Sequence, residues 1–256
     1  MSTEKSKTLT ALWASAAEDD ALVKTAKALR KLVRAASDEE ALTKLSQLDV
    51  LDLGVDPWMK RNWALDLTAL TLLPLVRGLK LNGSKCLSLA PVRELSTLKA
   101  LHLDELELED VGWVAALNEL EIFSARRNKL RNVEALSELP ALREIYLAEN
   151  SLTTLKPFSA LEKLRVLDVS QNMIAELLPL NKRRSLRILR LRRNALNSLD
   201  GLEDLRDLDE LDVRDNRIMS LKPIKELGLL SALGVAGNPL TDDDLDTIRR
   251  SIKLLS

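Results

Sequence analysis

Seven of the fourteen residues in NKRRSLRILRLRRN (181–194) are Lys or Arg. Such a run grips phosphate through charge and through the forked guanidinium group. The single histidine, His102, has Ser124 and Asp104 available as partners, which are the residue types of a nucleophilic triad. The stretch EDLRDLDELDVRDN (203–216) carries enough acid for a calcium loop, and GLLSALGVAGNP (228–239) has the glycines of a phosphate cradle. Cys86 is the one thiol. Which of these groups can act depends on the element that carries each.

The bulk numbers remove several chemistries. Lys and Arg total 38 and Asp and Glu total 39, a net charge of −1, whereas a protein living on phosphate backbone shows a basic excess. With one Cys and one His, neither an intramolecular disulfide nor a Cys/His metal cluster can form, and no metal or cofactor is expected. The start, MSTEKSKTLTALWASAAEDD, lacks the apolar stretch of about 7–15 residues that marks a secretory signal. No run reaches the roughly 18 apolar residues of a membrane span. A soluble, cytoplasmic protein is the expectation. Aromatic residues make up only 3%, so the core must rest on aliphatic side chains.

Asn128, Asn150, Asn172, Asn194, Asn216 and Asn238 stand 22 residues apart. Aligned on them, LREIYLAENSLTTLKPFSALEK (142–163) and LRILRLRRNALNSLDGLEDLRD (186–207) share LxxLxLxxNxLxxLxxLxxL. The apolar skeleton continues back through 98–119 and 76–97, with Leu106 and Ser84 at the Asn place. A further coil from 48 carries Asp56 there. LxL is a short strand with two side chains in and one out. The Asn amide can satisfy backbone groups of the turn that follows. Leucines three apart suit a tight 3-10 return. One such coil cannot bury its apolar side, but a stack can.

Over roughly 48–240 the chain resembles the leucine-rich-repeat family, in its 22-residue class, which includes the internalins and the leucine-rich-repeat regulator of type-one protein phosphatase. The resemblance implies an α/β solenoid: a curved parallel sheet on the concave side, short 3-10 or helical turns on the convex side, and helical caps. It implies a binding scaffold and does not name a partner. Regulation of an enzyme such as a phosphatase is the alternative that it suggests. The missing export signal points away from surface adhesion of the internalin sort.

The division expected is 1–47 as a helical N-terminal cap, 48–240 as about nine repeats, and 241–256 as a capping helix. Leu22, Ala26, Leu29 and Val33 fall at helical spacing, and Ser37 with Glu40 makes a capping box. Trp13, Trp58 and Trp63 would help this region cover the first coil; residues 1–20 are alternatively a partner-binding or dimerising segment. Thr241 opens the last helix, whose apolar face would use Leu245, Ile248, Ile252 and Leu255.

Stacking turns equivalent positions into rows about 4.8 Å apart per step. Four residues before each Asn place the row reads Asp52, Lys80, His102, Ser124, Tyr146, Asp168, Arg190, Asp212, Gly234. Two before, it includes Asp104, Arg126, Arg192 and Arg214; six before, Val166 and Ile188. The basic run therefore splits between two surfaces. Arg190 and Arg192 are outward strand residues, while Lys182, Arg183 and Arg184 lie on the preceding return, with Arg183 where other coils have Leu. Arg190 between Asp168 and Asp212 reads as locally neutralised, which disfavours nucleic acid. Cys86 takes a Leu place and is expected in the core. An open sheet offers no oxyanion hole for His102 and Ser124, and the acids of 203–216 follow the leucine period, not a calcium-loop spacing.

The expectation is thus a non-catalytic scaffold or adaptor, monomeric unless the N-terminal region dimerises, holding a protein partner on a face about 40 Å long. The residues expected to make contact are His102, Asp104, Arg126, Tyr146, Val166, Asp168, Ile188, Arg190, Arg192, Asp212 and Arg214. The arginines would address acidic groups, and Asp104, Asp168 and Asp212 basic ones.

Overall fold

The computed structural model describes residues 3–17, 20–54, 64–73, 76–249 and 253–254. The chain forms two compact units, Met1–Leu106 and Glu107–Ser256.

In the first unit, helices α1 (Thr3–Ala14), α2 (Ala21–Leu32) and α3 (Asp38–Ser46) precede β1 (Val50–Asp52), β2 (Leu65–Asp66), β3 (Gly78–Lys80), β4 (Cys86–Ser88) and β5 (Ala100–His102). Asp20 caps α2 by accepting from Leu22 N at 2.7 Å, and Val23, Ala26 and Leu29 form its buried stripe. Ser37 and Glu40 close a capping box: Ser37 Oγ accepts from Glu40 N, and Glu40 Oε2 accepts from Ala36 N at 2.7 Å. Leu9 and Trp13, four apart on α1, are buried, and the Trp13 indole N–H donates to Ala26 O at 2.6 Å. These helices lie on the first coil. Lys5 Nζ donates to Thr71 O at 2.8 Å, and the backbone N–H of Asp66 donates to Thr25 Oγ1 at 3.0 Å. Asp56, Trp58 and Trp63 lie outside the described residues.

Strands β1, β3 and β5 pair in parallel, with Asp52, Lys80 and His102 in one register row. A second, two-stranded sheet joins β2 to β4. That pairing draws Cys86 out of the core: its side chain is half-buried, and Leu87 beside it is 63% exposed. The expectation of a core thiol is corrected, because the coil after Ser84 is held by backbone pairing to β2 and not by a leucine period. Ser84 itself stands in for Asn, donating to Leu53 O at 2.6 Å.

The second unit holds β6 (Ile122–Ser124), β7 (Glu144–Tyr146), β8 (Val166–Asp168), β9 (Ile188–Arg190), β10 (Glu210–Asp212), β11 (Ala232–Gly234), α4 (Asp242–Arg249) and β12 (Lys253–Leu254). All the pairings from β6 to β12 are parallel. Short 3-10 turns such as Lys156–Ala160 and Lys222–Ile224 form the returns, opened by Pro157 and Pro223. Leu167, Leu189, Leu191 and Leu211 are fully buried. Thr241 Oγ1 accepts from Asp244 N at the start of α4. The side chain of Ile248 and the residues Ile252 and Leu255 lie outside what is described. β12 extends the sheet beyond the helix expected there.

Each asparagine ties its coil to the one before. Asn172 Oδ1 accepts from Leu152 N at 2.9 Å, while Nδ2 donates to Leu147 O and Val169 O, both at 3.0 Å. Asn150, Asn194, Asn216 and Asn238 repeat the pattern. The residue preceding the Asn place is left-handed throughout: Gly83, Glu105, Arg127, Glu149, Gln171, Arg193, Asp215 and Gly237 all have φ between 51° and 75°. Gly83 and Gly237 suit it, but nothing in the types of Glu105, Arg127, Glu149, Gln171 and Arg193 announces it. Gln171 is exposed with φ 55°, and a β-branched residue is an outlier there. Gln171→Val is expected to cost about 1–2 kcal/mol, read from the urea midpoint, and Gln171→Gly serves as the control without that strain. At the leucine-to-arginine exchange the return does deviate: Lys182 turns left-handed at φ 71°, and the 3-10 turn shortens to Leu178–Leu180.

Candidate functional site

Parallel pairing places Ser124, Tyr146, Asp168, Arg190, Asp212 and Gly234 in register on successive strands of the second unit. Beside them run Ile122, Glu144, Val166, Ile188, Glu210 and Ala232. One-in, one-out alternation on each strand gives both rows to the sheet face. Val166 and Ile188 are half-buried neighbours, flanked in their own row by Glu144 and Glu210 and lying beside the row Tyr146–Asp168–Arg190.

Tyr146 is held from two directions. Its hydroxyl donates to Glu144 Oε2 at 2.8 Å, and the Arg126 guanidinium lies 4.5 Å from its ring centroid, a cation–π contact. Partial burial and the Glu144 carboxylate push its pKa up to about 12, so the phenol stays a donor at any ordinary pH. Arg190 Nε donates to Glu210 Oε1 at 2.8 Å, and that bond raises the arginine's pKa further. The register leaves Arg190 between Asp168 and Asp212, yet its side-chain hydrogen bond goes to Glu210.

The two aspartates are otherwise engaged. Asp168 and Asp212 are 8% and 6% exposed, and each accepts from the backbone N–H two residues on, Ser170 N and Arg214 N, at 3.1 Å. Arg214 also forks onto Asp212, with Nη2 at 2.8 Å. The outward carboxylates expected to address a basic partner are thus turned into their own turns. Arg192 Nε meets Asp215 at 2.9 Å, and Arg193 Nε meets the same carboxylate at 3.4 Å. Arg192 foremost holds the Asp215 pKa below the ordinary carboxylate range. Three of the seven cations of the basic run, Arg190, Arg192 and Arg193, are therefore countered within the chain.

Ser124 corrects a second expectation. It keeps its place in the sheet-face row beside Tyr146, but at 1% exposed it is covered and presents no hydroxyl to a substrate. In the first unit, His102 and Asp104 are half-buried, and Asp104 N donates to Asn82 Oδ1 at 2.9 Å. Among the described residues no three His, Cys, Asp or Glu side chains converge as a metal site, and no helix is long and apolar enough to cross a membrane. Sequence reasoning missed Glu144 and Glu210, which fix Tyr146 and Arg190. Their signal was available, since both lie in the row six before the asparagines.

A family described as leucine-rich repeats, in two copies, matches residues 140–182. No curated protein matches the chain by sequence. Among solved structures, an internalin (inlF) of Listeria monocytogenes is 23% identical with a TM-score of 0.72, over 84% of this chain and 62% of that one. A leucine-rich-repeat protein of Leptospira interrogans is 24% identical with a TM-score of 0.72, over 87% and 57%. Internalin C2 of Listeria monocytogenes is 20% identical with a TM-score of 0.61, over 90% and 89%. The chain thus spans about three-fifths of the first two. At these identities the likeness speaks for the fold.

Proposed function

This chain is a leucine-rich-repeat protein similar to the internalins, and from that premise we propose that it is a non-catalytic scaffold holding a protein partner on the sheet face of its second unit. The observation that carries the reading is the apolar pair Val166–Ile188, which runs beside the row Tyr146–Asp168–Arg190 and so sets aliphatic surface next to a tyrosine and an arginine. Binding energy concentrates on such residues when they are surrounded by contacts that exclude water. Glu144 with Arg126 and Glu210 already hold the two anchors, so little rotamer freedom remains to be lost on binding. Arg192 and Arg214 belong to the rim, where charge sets orientation and on-rate more than affinity. His102 and Asp104 are the first unit's contributions to the same surface type.

In this reading residues 1–47 cap the repeats at one end, 48–240 carry them, and 241–256 close the other. The chain works as a monomer, and the lone cysteine suits the reducing cytoplasm. Affinity capture with mass spectrometry tests the function. A partner recovered with the wild type is expected to bind at least about tenfold more weakly to Tyr146→Ala/Arg190→Glu, with the melting curve of the variant retained. Undiminished recovery by the variant defeats the proposal.

A further inference from the structure

On the sheet face the arginines have counter-charges or a ring inside the chain. At the entry to the strands two of them, Arg165 and Arg187, do not. The row seven residues before the asparagines reads Glu121, Arg143, Arg165, Arg187, Asp209. Successive members are bonded through their backbones, Arg165 N to Arg143 O and Arg187 N to Arg165 O, both at 2.8 Å. Arg143 reaches Glu121 at 3.3 Å. Arg165 and Arg187 are exposed and, among the described residues, make no ion pair or side-chain hydrogen bond. The same holds for the exposed Lys163, Lys182 and Arg184 on the adjoining returns. Ser185 Oγ donates to Leu164 O at 2.8 Å, which brings those two returns together.

Like charges on directly neighbouring strands oppose folding. A cluster of five cations, interrupted by the exposed Glu162 and bordered on the following return by Asp204 and Asp207, therefore favours an anion from outside. The row stops at Glu121 on one side and at Asp209 on the other, where Asp209 accepts from the Ser231 hydroxyl. The basic stretch is about 10 Å long, too short for a duplex to track and bounded by acid where further phosphates would fall. It also borders Val166 and Ile188, the residues following Arg165 and Arg187.

We propose that this lip binds a short acidic peptide segment, with two or three carboxylates over about 10 Å, belonging to the partner on the sheet face. The inference rests on that partner being a protein. Arg165 and Arg187 would each take a carboxylate, with Lys163, Lys182 and Arg184 supplying long-range attraction. Exposure keeps each pair weak and salt-dependent.

A fluorescent deca-glutamate peptide titrated with the full chain in low salt reads the binding by anisotropy, with single-stranded oligothymidine as the competing class. The peptide is expected to bind, and Arg165→Glu/Arg187→Glu to weaken it about tenfold or more. The same charge change at the exposed and distant Arg131 and Arg217 should alter it less than about twofold. Absence of peptide binding, equal loss in the distant variant, or oligothymidine binding tighter than the peptide each overturns the proposal. The sheet-face reading stands or falls separately, on whether Tyr146→Ala/Arg190→Glu loses the captured partner.

Discussion

Asn172→Leu is expected to lower unfolding free energy by about 3 kcal/mol, whereas Tyr146→Ala should stay within about 1 kcal/mol of the wild type. The two carbonyls served by Asn172 are shared: Leu147 O also receives Asn150, and Val169 O also receives Asn194, each at 3.0 Å. They fall from two donors to one. The Leu152 N–H is different, because Asn172 Oδ1 is its acceptor in a buried site and leucine offers none. That orphaned donor carries most of the loss, since desolvation is then uncompensated. Asn172→Asp keeps the acceptor but sets a carboxylate against those two carbonyls in a buried site, so it should cost at least as much as leucine. Urea unfolding followed by circular dichroism measures all three. An equal shift for Asn172→Leu and Tyr146→Ala would contradict the assigned register.

Leu189→Ala is expected to cost about 3–4 kcal/mol. Leu189 is fully buried, in register with Leu167 on one side and Leu211 on the other. The coil spacing is pinned by backbone bonds such as Arg187 N to Arg165 O at 2.8 Å and Leu191 N to Asp212 O at 2.7 Å. The stack cannot close on the void, so the transfer loss and the cavity loss add. Because repeat stability is a sum of coil and nearest-neighbour terms, the damage should centre on β8, β9 and β10. Hydrogen exchange should show faster opening of those amides, while α2 in the first unit keeps its protection. A loss below about 1 kcal/mol would mean that Leu189 is not packed as described.

The two cases show what the sequence carries and where it stops. A fixed period of 22 sets register for every row, which is why the sequence alone aligns Tyr146, Asp168, Arg190 and Asp212. Where the period breaks, so does the foresight. Cys86 leaves the core because residues 65–66 pair with its strand, a contact that no spacing encodes. Helix α1 rests on Leu9 and Trp13 alone among its buried apolar residues, too few for periodicity to reveal. Side-chain partners are the other gap. Arg190 could reach several carboxylates in neighbouring rows, and Glu210 is chosen by reach and angle after the backbone is set. The left-handed column is hidden for the opposite reason: backbone closure imposes it, and glutamate, arginine and glutamine comply.

The asparagine bonds all point the same way. Leu152 N waits for Asn172, Ile174 N for Asn194 and Ile218 N for Asn238. Each coil is completed by a side chain that lies about one period later, so during synthesis it stays provisional until the next has emerged. After Asn238 the chain turns locally instead, with Leu240 N bonded to Asn238 O at 2.9 Å.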